Sequence, residues 1–304
     1  PHSPCPASEN PVYATPATPT GFSQTAATTT SISLSWKKVN EATGYQICYY
    51  SSSLKKWYYY GGPTNNKITS TTYDLKSKTE NNKTVISVKA GKTYSLYIRA
   101  YIIHSKDDEG NNIVTYSPKS SVVKCYTAPK QVTGGKLSAY TADTITLSWG
   151  AVSGATGYVV KRKKSGDASY TIVTTTKSTS YKDGSTKKLS SGTTYTYQVA
   201  AYNGNDNYRG SYSSSIKLST CPANPTTTIK GGDKKLRLNW KTVTGASSYK
   251  VYLKKGTTYD LVKSCSKSTT SYVITGLDNG TQYSTRVIAY RTLDKGKNAE
   301  ATYS

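Results

Sequence analysis

ITLSW (Ile145–Trp149), SGATGYVVKRKK (Ser153–Lys164) and LSSGTTYTYQVAAY (Leu189–Tyr202) decide the fold of this 304-residue chain. Apolar and polar side chains alternate in the first and last of these runs. A period of two places neighbours on opposite faces of a half-buried strand. The pattern returns upstream in ISLSW (Ile32–Trp36), ATGYQICYY (Ala42–Tyr50) and KAGKTYSLYIRAY (Lys89–Tyr101). Downstream it returns in LRLNW (Leu236–Trp240), ASSYKVYLKK (Ala246–Lys255) and LDNGTQYSTRVIAY (Leu277–Tyr290). The chain therefore reads as all-β, with three copies of one module.

Tryptophans 36, 149 and 240 mark the copies at intervals of 113 and 91 residues, enough for each copy to bury its own core. A hydrophobic fraction of 35% is low, but 29 tyrosines supply large surfaces with one polar end, so the cores are expected to be aromatic and β-branched. No apolar run reaches the roughly 18 residues of a membrane helix. The chain contains no methionine and opens on proline, which predicts a mature or excised piece of a longer polypeptide. The formal charge of +24 is spread as +7, +8 and +9 over residues 1–127, 128–220 and 221–304. A nucleic-acid module concentrates charge on one face or arm. Uniform lysine instead points to solubility, edge protection and attraction to an anionic polysaccharide or wall polymer, so a nucleic-acid partner is disfavoured.

Residues 1–16 carry prolines at 1, 4, 6, 11 and 16, and a chain so short of ladder donors reads as a tail or linker. Cys5-Pro6-Ala7 repeats Cys221-Pro222-Ala223, which joins the second and third copies. The modules are expected at 17–127, 128–220 and 221–304. The first is enlarged: its Trp-to-Tyr interval, 36 to 94, is 58 residues, against 46 and 43 in the others. The surplus contains Trp57, Tyr58, Tyr59 and Tyr60. Four consecutive aromatics cannot all face one core, so about half are expected outside, as a strand capping the sandwich edge or as a platform that stacks on sugar rings. Aligning Thr302-Tyr303-Ser304 with Thr115-Tyr116-Ser117 leaves the third module without the closing strand that SSVVKCYT and SSSIKLST supply to the others. A longer chain, or another copy, is expected to provide it; Pro11, Val12, Tyr13 and Ala14 are the candidate donor segment.

These residues resemble tandem fibronectin type III modules, particularly those of surface and secreted proteins of Gram-positive bacteria. The resemblance covers nearly all of residues 17–304. It is carried by the tryptophan closing the second strand (Trp36, Trp149, Trp240), by the tyrosine opening the third (Tyr45, Tyr158, Tyr249), and by the x-x-G-x-x-Y corner before the sixth (Tyr94, Tyr195, Tyr283). It implies seven-stranded antiparallel sandwiches in which the corner tyrosine hydroxyl bonds backbone. An immunoglobulin domain would set its tryptophan against a recurring cysteine pair, and none recurs here.

Little chemistry is available beyond this frame. The cysteines at 5, 48, 125, 221 and 265 form no disulfide framework, and their odd number leaves one for an interchain bond, with Cys5 the candidate. Cys125 aligns with the core-facing Leu218 and is expected as a buried thiol. Asp107, Asp108 and Glu109 suit a solvated hairpin tip better than a calcium loop, and Lys161 to Lys164 read as a solvated strand end. Asn82 and Asn279 stand in N-x-T sequons. No nucleophile–base set, metal-ligand spacing or phosphate loop occurs, so no enzyme and no cofactor is expected. The expected function is an extracellular structural or adhesive rod whose partners are neighbouring modules or copies of itself. The alternative is a carbohydrate-binding region of a secreted polysaccharide-degrading enzyme.

Overall fold

A computed structural model describes residues 12–51, 55–64, 66–80, 83–293 and 297–300. The period-two runs become strands throughout. The first repeat contains β1 (Ser23–Ala27), β2 (Ser31–Ser35), β3 (Gly44–Ser51), β4 (Lys56–Tyr60), β5 (Thr72–Lys76), β6 (Lys78–Glu80), β7 (Lys83–Ile86), β8 (Thr93–Lys106), β9 (Asn112–Tyr116) and β10 (Val123–Tyr126). β1-β2-β5 form one sheet and β10-β8-β3-β4 the other, with β9 on the far half of β8. The hairpin β6-β7 is extra and takes up part of the surplus length.

The second repeat has the same plan without that hairpin: β11 (Lys136–Tyr140), β12 (Ile145–Ser148) and β15 (Ser180–Asp183) face β14 (Thr171–Thr176), β13 (Gly157–Lys164), β16 (Thr194–Asn203), β17 (Asn205–Arg209) and β18 (Ile216–Ser219). The third pairs β19 (Thr227–Gly232), β20 (Lys235–Trp240) and β23 (Ser271–Thr275) in one sheet. Its other sheet holds β22 (Thr258–Ser266), β21 (Ser248–Lys255), β24 (Thr285–Leu293) and β25 (Lys297–Glu300). β10 runs along Thr93–Leu96 and β18 along Thr194–Tyr197, whereas β25 reaches only Tyr290–Leu293 of β24. The first half of β24 is paired with β21 on one side, and among the described residues no strand takes the place of β10 or β18 on its other side.

The three cores are built alike. Each tryptophan meets the tyrosine of the next strand, with ring centroids 5.2 Å apart for Trp36–Tyr45, 5.5 Å for Trp149–Tyr158 and 5.8 Å for Trp240–Tyr249. Ile32, Leu34, Ile47, Leu75, Leu96 and Ile98 complete the first core, and each such buried side chain contributes about 1.5–3 kcal/mol. The corner tyrosines do what the resemblance implied. The Tyr94, Tyr195 and Tyr283 hydroxyls accept from the amides of Lys89 (2.8 Å), Ser190 (2.9 Å) and Asp278 (2.9 Å), each five residues upstream.

The basic run 161–164 departs from a solvated strand end. Its alternation sends Lys161 and Lys163 outward, where they lie over the Tyr170 ring at 4.8 and 5.2 Å. Arg162 turns inward and meets the buried Asp183 carboxylate at 2.6 Å, which also accepts from the Tyr197 hydroxyl at 2.8 Å. A charge among apolar strands is stable only with such partners.

The described residues fall into two compact units. One lies within Pro1–Gln131, Val152–Gly157 and Ala201–Ser211, the other within Val132–Ala151, Tyr158–Ala200 and Tyr212–Ser304. No helix among the described residues is long and apolar enough to cross a membrane.

Candidate functional site

Strand register sorts the aromatic run 57–60. Trp57 pairs with Tyr50, Tyr58 with Tyr49, Tyr59 with Cys48 and Tyr60 with Ile47. Ile47 lies in the core, so Tyr60 and Tyr58 take the inward side, while Trp57 and Tyr59 take the outward one. Tyr60 is buried in the core cluster and is thereby withdrawn from any platform. Tyr59 and Tyr50 are 47% and 36% exposed. Trp57 stacks obliquely on Tyr50 at 5.2 Å and on Tyr97 of β8 at 4.6 Å.

Three residues absent from the sequence-level candidates complete this face. Arg99 lies over Tyr59 at 5.1 Å and over Tyr116 at 3.9 Å, held by a 2.8 Å bond from its Nε to Gln46. Lys119 sits 5.1 Å from the Tyr97 ring. Tyr97 itself is fully covered and floors the face. The signal was present in β8, where Tyr94, Leu96 and Ile98 alternate inward and so assign Tyr97 and Arg99 outward. The result is an aromatic surface edged by two cations, able to stack on a planar or sugar-like ring and to attract an anionic group.

Cys48 lies beneath this layer, between Tyr59 and Tyr97 in register, and is fully buried. Burial pushes its thiol from the ordinary 9.0 up to about 11, against smaller lowering effects of the Tyr97 hydroxyl, Arg99 and Lys119. Cys125, in the same repeat's core, is pushed up to about 12 by burial. Both folded thiols hold their protons more tightly than unfolded ones. Their contribution to stability is thus fully present below pH 9 and is lost as pH rises toward 11 and 12. Iodoacetamide at pH 8 is expected to leave both thiols unlabelled in the folded protein and to label them in urea. Rapid native labelling of Cys48 would show that the aromatic layer opens.

The tail candidates divide. Pro11 and Cys5 lie outside the described residues. Val12 is 97% exposed. Tyr13 stacks on His104 with centroids 4.0 Å apart and planes at 19°, and the Ala14 carbonyl accepts from Thr115 Oγ1 at 3.3 Å. These residues therefore rest on the β8–β9 hairpin of their own repeat. At its tip the Asp107 carboxylate accepts from the amides of Glu109 (3.1 Å) and Asn111 (2.7 Å), which gives it a turn-forming role. Asn82 lies outside the described residues. Asn279 is engaged on both side-chain atoms, accepting from the Lys234 amide at 2.9 Å and donating to Asp233 at 2.8 Å.

A second site type lies at the corner glycines. Within the first unit, Gly91 (φ 64°) backs against the Ser153–Gly154 turn, and a Cβ there would come within 2.6 Å of the Ser153 carbonyl oxygen. The Gly91 amide donates to the Ala128 carbonyl at 3.1 Å, the Ala128 amide to Thr28 at 3.0 Å, and Asn203 Nδ2 to the Lys92 carbonyl at 3.1 Å. Within the second unit the arrangement repeats. Gly192 (φ 58°) backs against Thr244–Gly245, its amide donates to the Cys221 carbonyl at 2.7 Å, and the Cys221 amide donates to Thr141 at 2.9 Å. The Arg291 guanidinium donates to the Gly192 carbonyl and, at 2.8 Å, to Thr194 Oγ1. Cys221 is thus a buried joint residue in the place of Ala128.

The model of the fibronectin type III domain matches residues 128–217 and 221–303, more than half of the chain. Similar solved structures include the FN1-FN3 domains of chicken CNTN1, 17% identical, covering 95% of this chain and 100% of that one at a TM-score of 0.32. A two-domain fibronectin type III segment of chicken tenascin is 20% identical, covering 67% of this chain and 99% of that one at a TM-score of 0.33. This chain belongs to the fibronectin type III family, as modules in tandem.

Proposed function

We propose that this protein is an extracellular, non-catalytic structural or adhesive element of a bacterial surface or secreted protein, in which modules at 17–127, 128–220 and 221–304 act as a semi-rigid rod. The observation that carries this reading is the repetition of one stitched joint at Gly91–Gly154 and again at Gly192–Gly245. A linker whose amide and carbonyl are both bonded has little freedom to bend. Fibronectin type III modules are typically non-catalytic scaffolds, which fits the same role. Small-angle scattering of the full chain is expected to give one extended particle, and a Gly154→Glu/Gly245→Glu double variant a broader distance distribution. Indistinguishable curves for the two proteins would overturn the rod.

The filament form of this reading has Pro11–Ala14 complete the third module of a neighbour and Cys5 bond to another chain. It requires Tyr13 to leave His104. Filaments in negative stain that vanish on deleting residues 1–16 would support it.

A second reading is favoured by the outward face of Trp57, Tyr59, Tyr50 and Arg99: binding of a polysaccharide, with an anionic one favoured by Arg99 and Lys119. Glycan-array binding that Trp57→Ala reduces at least tenfold is expected; binding unchanged in that variant would remove the face from this role.

A further inference from the structure

Each repeat offers its corner at one end and its second-to-third-strand turn at the other. Three equivalent bonds align the turns: Thr43 to Tyr101 (2.9 Å), Thr156 to Tyr202 (2.8 Å) and Ser247 to Tyr290 (2.7 Å), amide to carbonyl. By that alignment Glu41, Gly154 and Gly245 are equivalent, and all three have positive φ, at 64°, 75° and 76°. Ile102, Asn203 and Arg291 are equivalent as well. The second and third repeats therefore bring to their joints a glycine, whose missing Cβ admits the preceding corner, and a side-chain donor for that corner's carbonyl. A Cβ on Gly154 or Gly245 would overlap the carbonyl oxygen of Gly91 or Gly192. The first repeat brings Glu41, which has that Cβ, and Ile102, which has no donor.

At the other end, the third corner keeps the receiving half. Gly280 has φ 75° and open space around it among the described residues. Beside it a hollow of about 170 Å³ lies between the corner (Leu277–Thr281) and the first turn of the repeat (Gly231, Gly232, Lys234 and Lys235). In the other repeats the corresponding gap is bridged by Ala128 and Cys221, each bonded to the corner glycine on one side and to the first turn (Thr28, Thr141) on the other.

We propose that the Gly280 corner is a seat for one further fibronectin type III module joined in line, whose equivalent turn carries glycine and whose sixth strand ends in a hydrogen-bond donor. The occupant is covalently linked because half of each existing joint is made by the linker itself. A second copy of this chain does not fit by its first repeat, since Glu41 would drive its Cβ into the Gly280 carbonyl. The joint thus has a direction, and this inference rests on the rod reading.

The test extends the chain after Ser304 with a copy of residues 214–304, which supplies a closing strand, a linker and a glycine-turn module. Amide hydrogen exchange at Gly280 is expected to slow at least tenfold relative to the 304-residue chain, while the Gly91 and Gly192 amides stay protected in both. Replacing the appended copy of Gly245 by Glu is expected to remove most of that protection. Glu41 already occupies this turn at φ 64°, so the variant module can fold. Unchanged exchange at Gly280 on extension would overturn the seat, and equal protection with Glu would overturn the glycine requirement. Protection of Gly280 that rises with concentration in the unextended chain would replace the in-line module by a second copy. Loss of protection at Gly91 and Gly192 would instead count against the rod.

Discussion

Asp183→Ala is expected to lower the unfolding free energy of the second repeat by about 3 kcal/mol, because breaking a buried pair leaves an uncompensated charge. The carboxylate accepts from Arg162, from the Tyr197 hydroxyl and, at 2.9 Å, from the Gly184 amide. Its side chain is 5% exposed, whereas that of Arg162 is 25% exposed, so water relieves part of the stranded guanidinium and the effect falls at the lower end for buried pairs. Arg162→Met combined with Asp183→Ala is expected to recover more than half of the loss, since it removes the unpaired charge and keeps the volume of the stem. Urea unfolding of both variants checks this. A single-variant loss below about 1 kcal/mol would mean that Arg162 is effectively solvated.

Gly192→Val is expected to destabilise the second unit by at least about 2 kcal/mol more than Gly280→Val. Both glycines have positive φ, 58° and 75°, so each valine incurs the left-handed penalty of roughly 1–2 kcal/mol. Only at Gly192 does the new Cβ also overlap the Thr244 carbonyl oxygen, where the obstacle is backbone and cannot rotate away. The same substitution displaces the carbonyl that accepts from Arg291. Equal losses at the two positions, measured by urea unfolding, would show that the Thr244–Gly245 turn yields freely and that the joint adds no stability. Arg291→Ala offers a milder check, with an expected loss of about 1–2 kcal/mol for a charge-assisted bond.

Much of the fold was readable in the chain because its cores repeat. Trp36, Trp149 and Trp240, with the tyrosines that follow them, impose a period-two frame that is satisfied only by burial between two sheets, and the corner tyrosines announce a backbone bond found five residues upstream in every copy. The aromatic run 57–60 could be divided in half by the same period, but not into its halves: that Tyr60 faces the core and Tyr59 the outside depends on pairing with Ile47 and Cys48. Arg162 is the clearest limit of the pattern. As one of four consecutive basic residues it looks solvated, and it is inward because Asp183, on another sheet and 21 residues away, supplies the countercharge.

The chain by itself determined the core strands and the copies, since these follow from local alternation and glycine or aromatic placement. Only the tertiary structure decided which glycines touch. Gly91, Gly192 and Gly280 stand at the same place in the repeated motif and share the same φ sign, yet two are pressed against another turn and the third is open among the described residues. That distinction is one of contact between segments distant in sequence, and a close approach of two backbones leaves no trace in a residue type that a tight turn already demands.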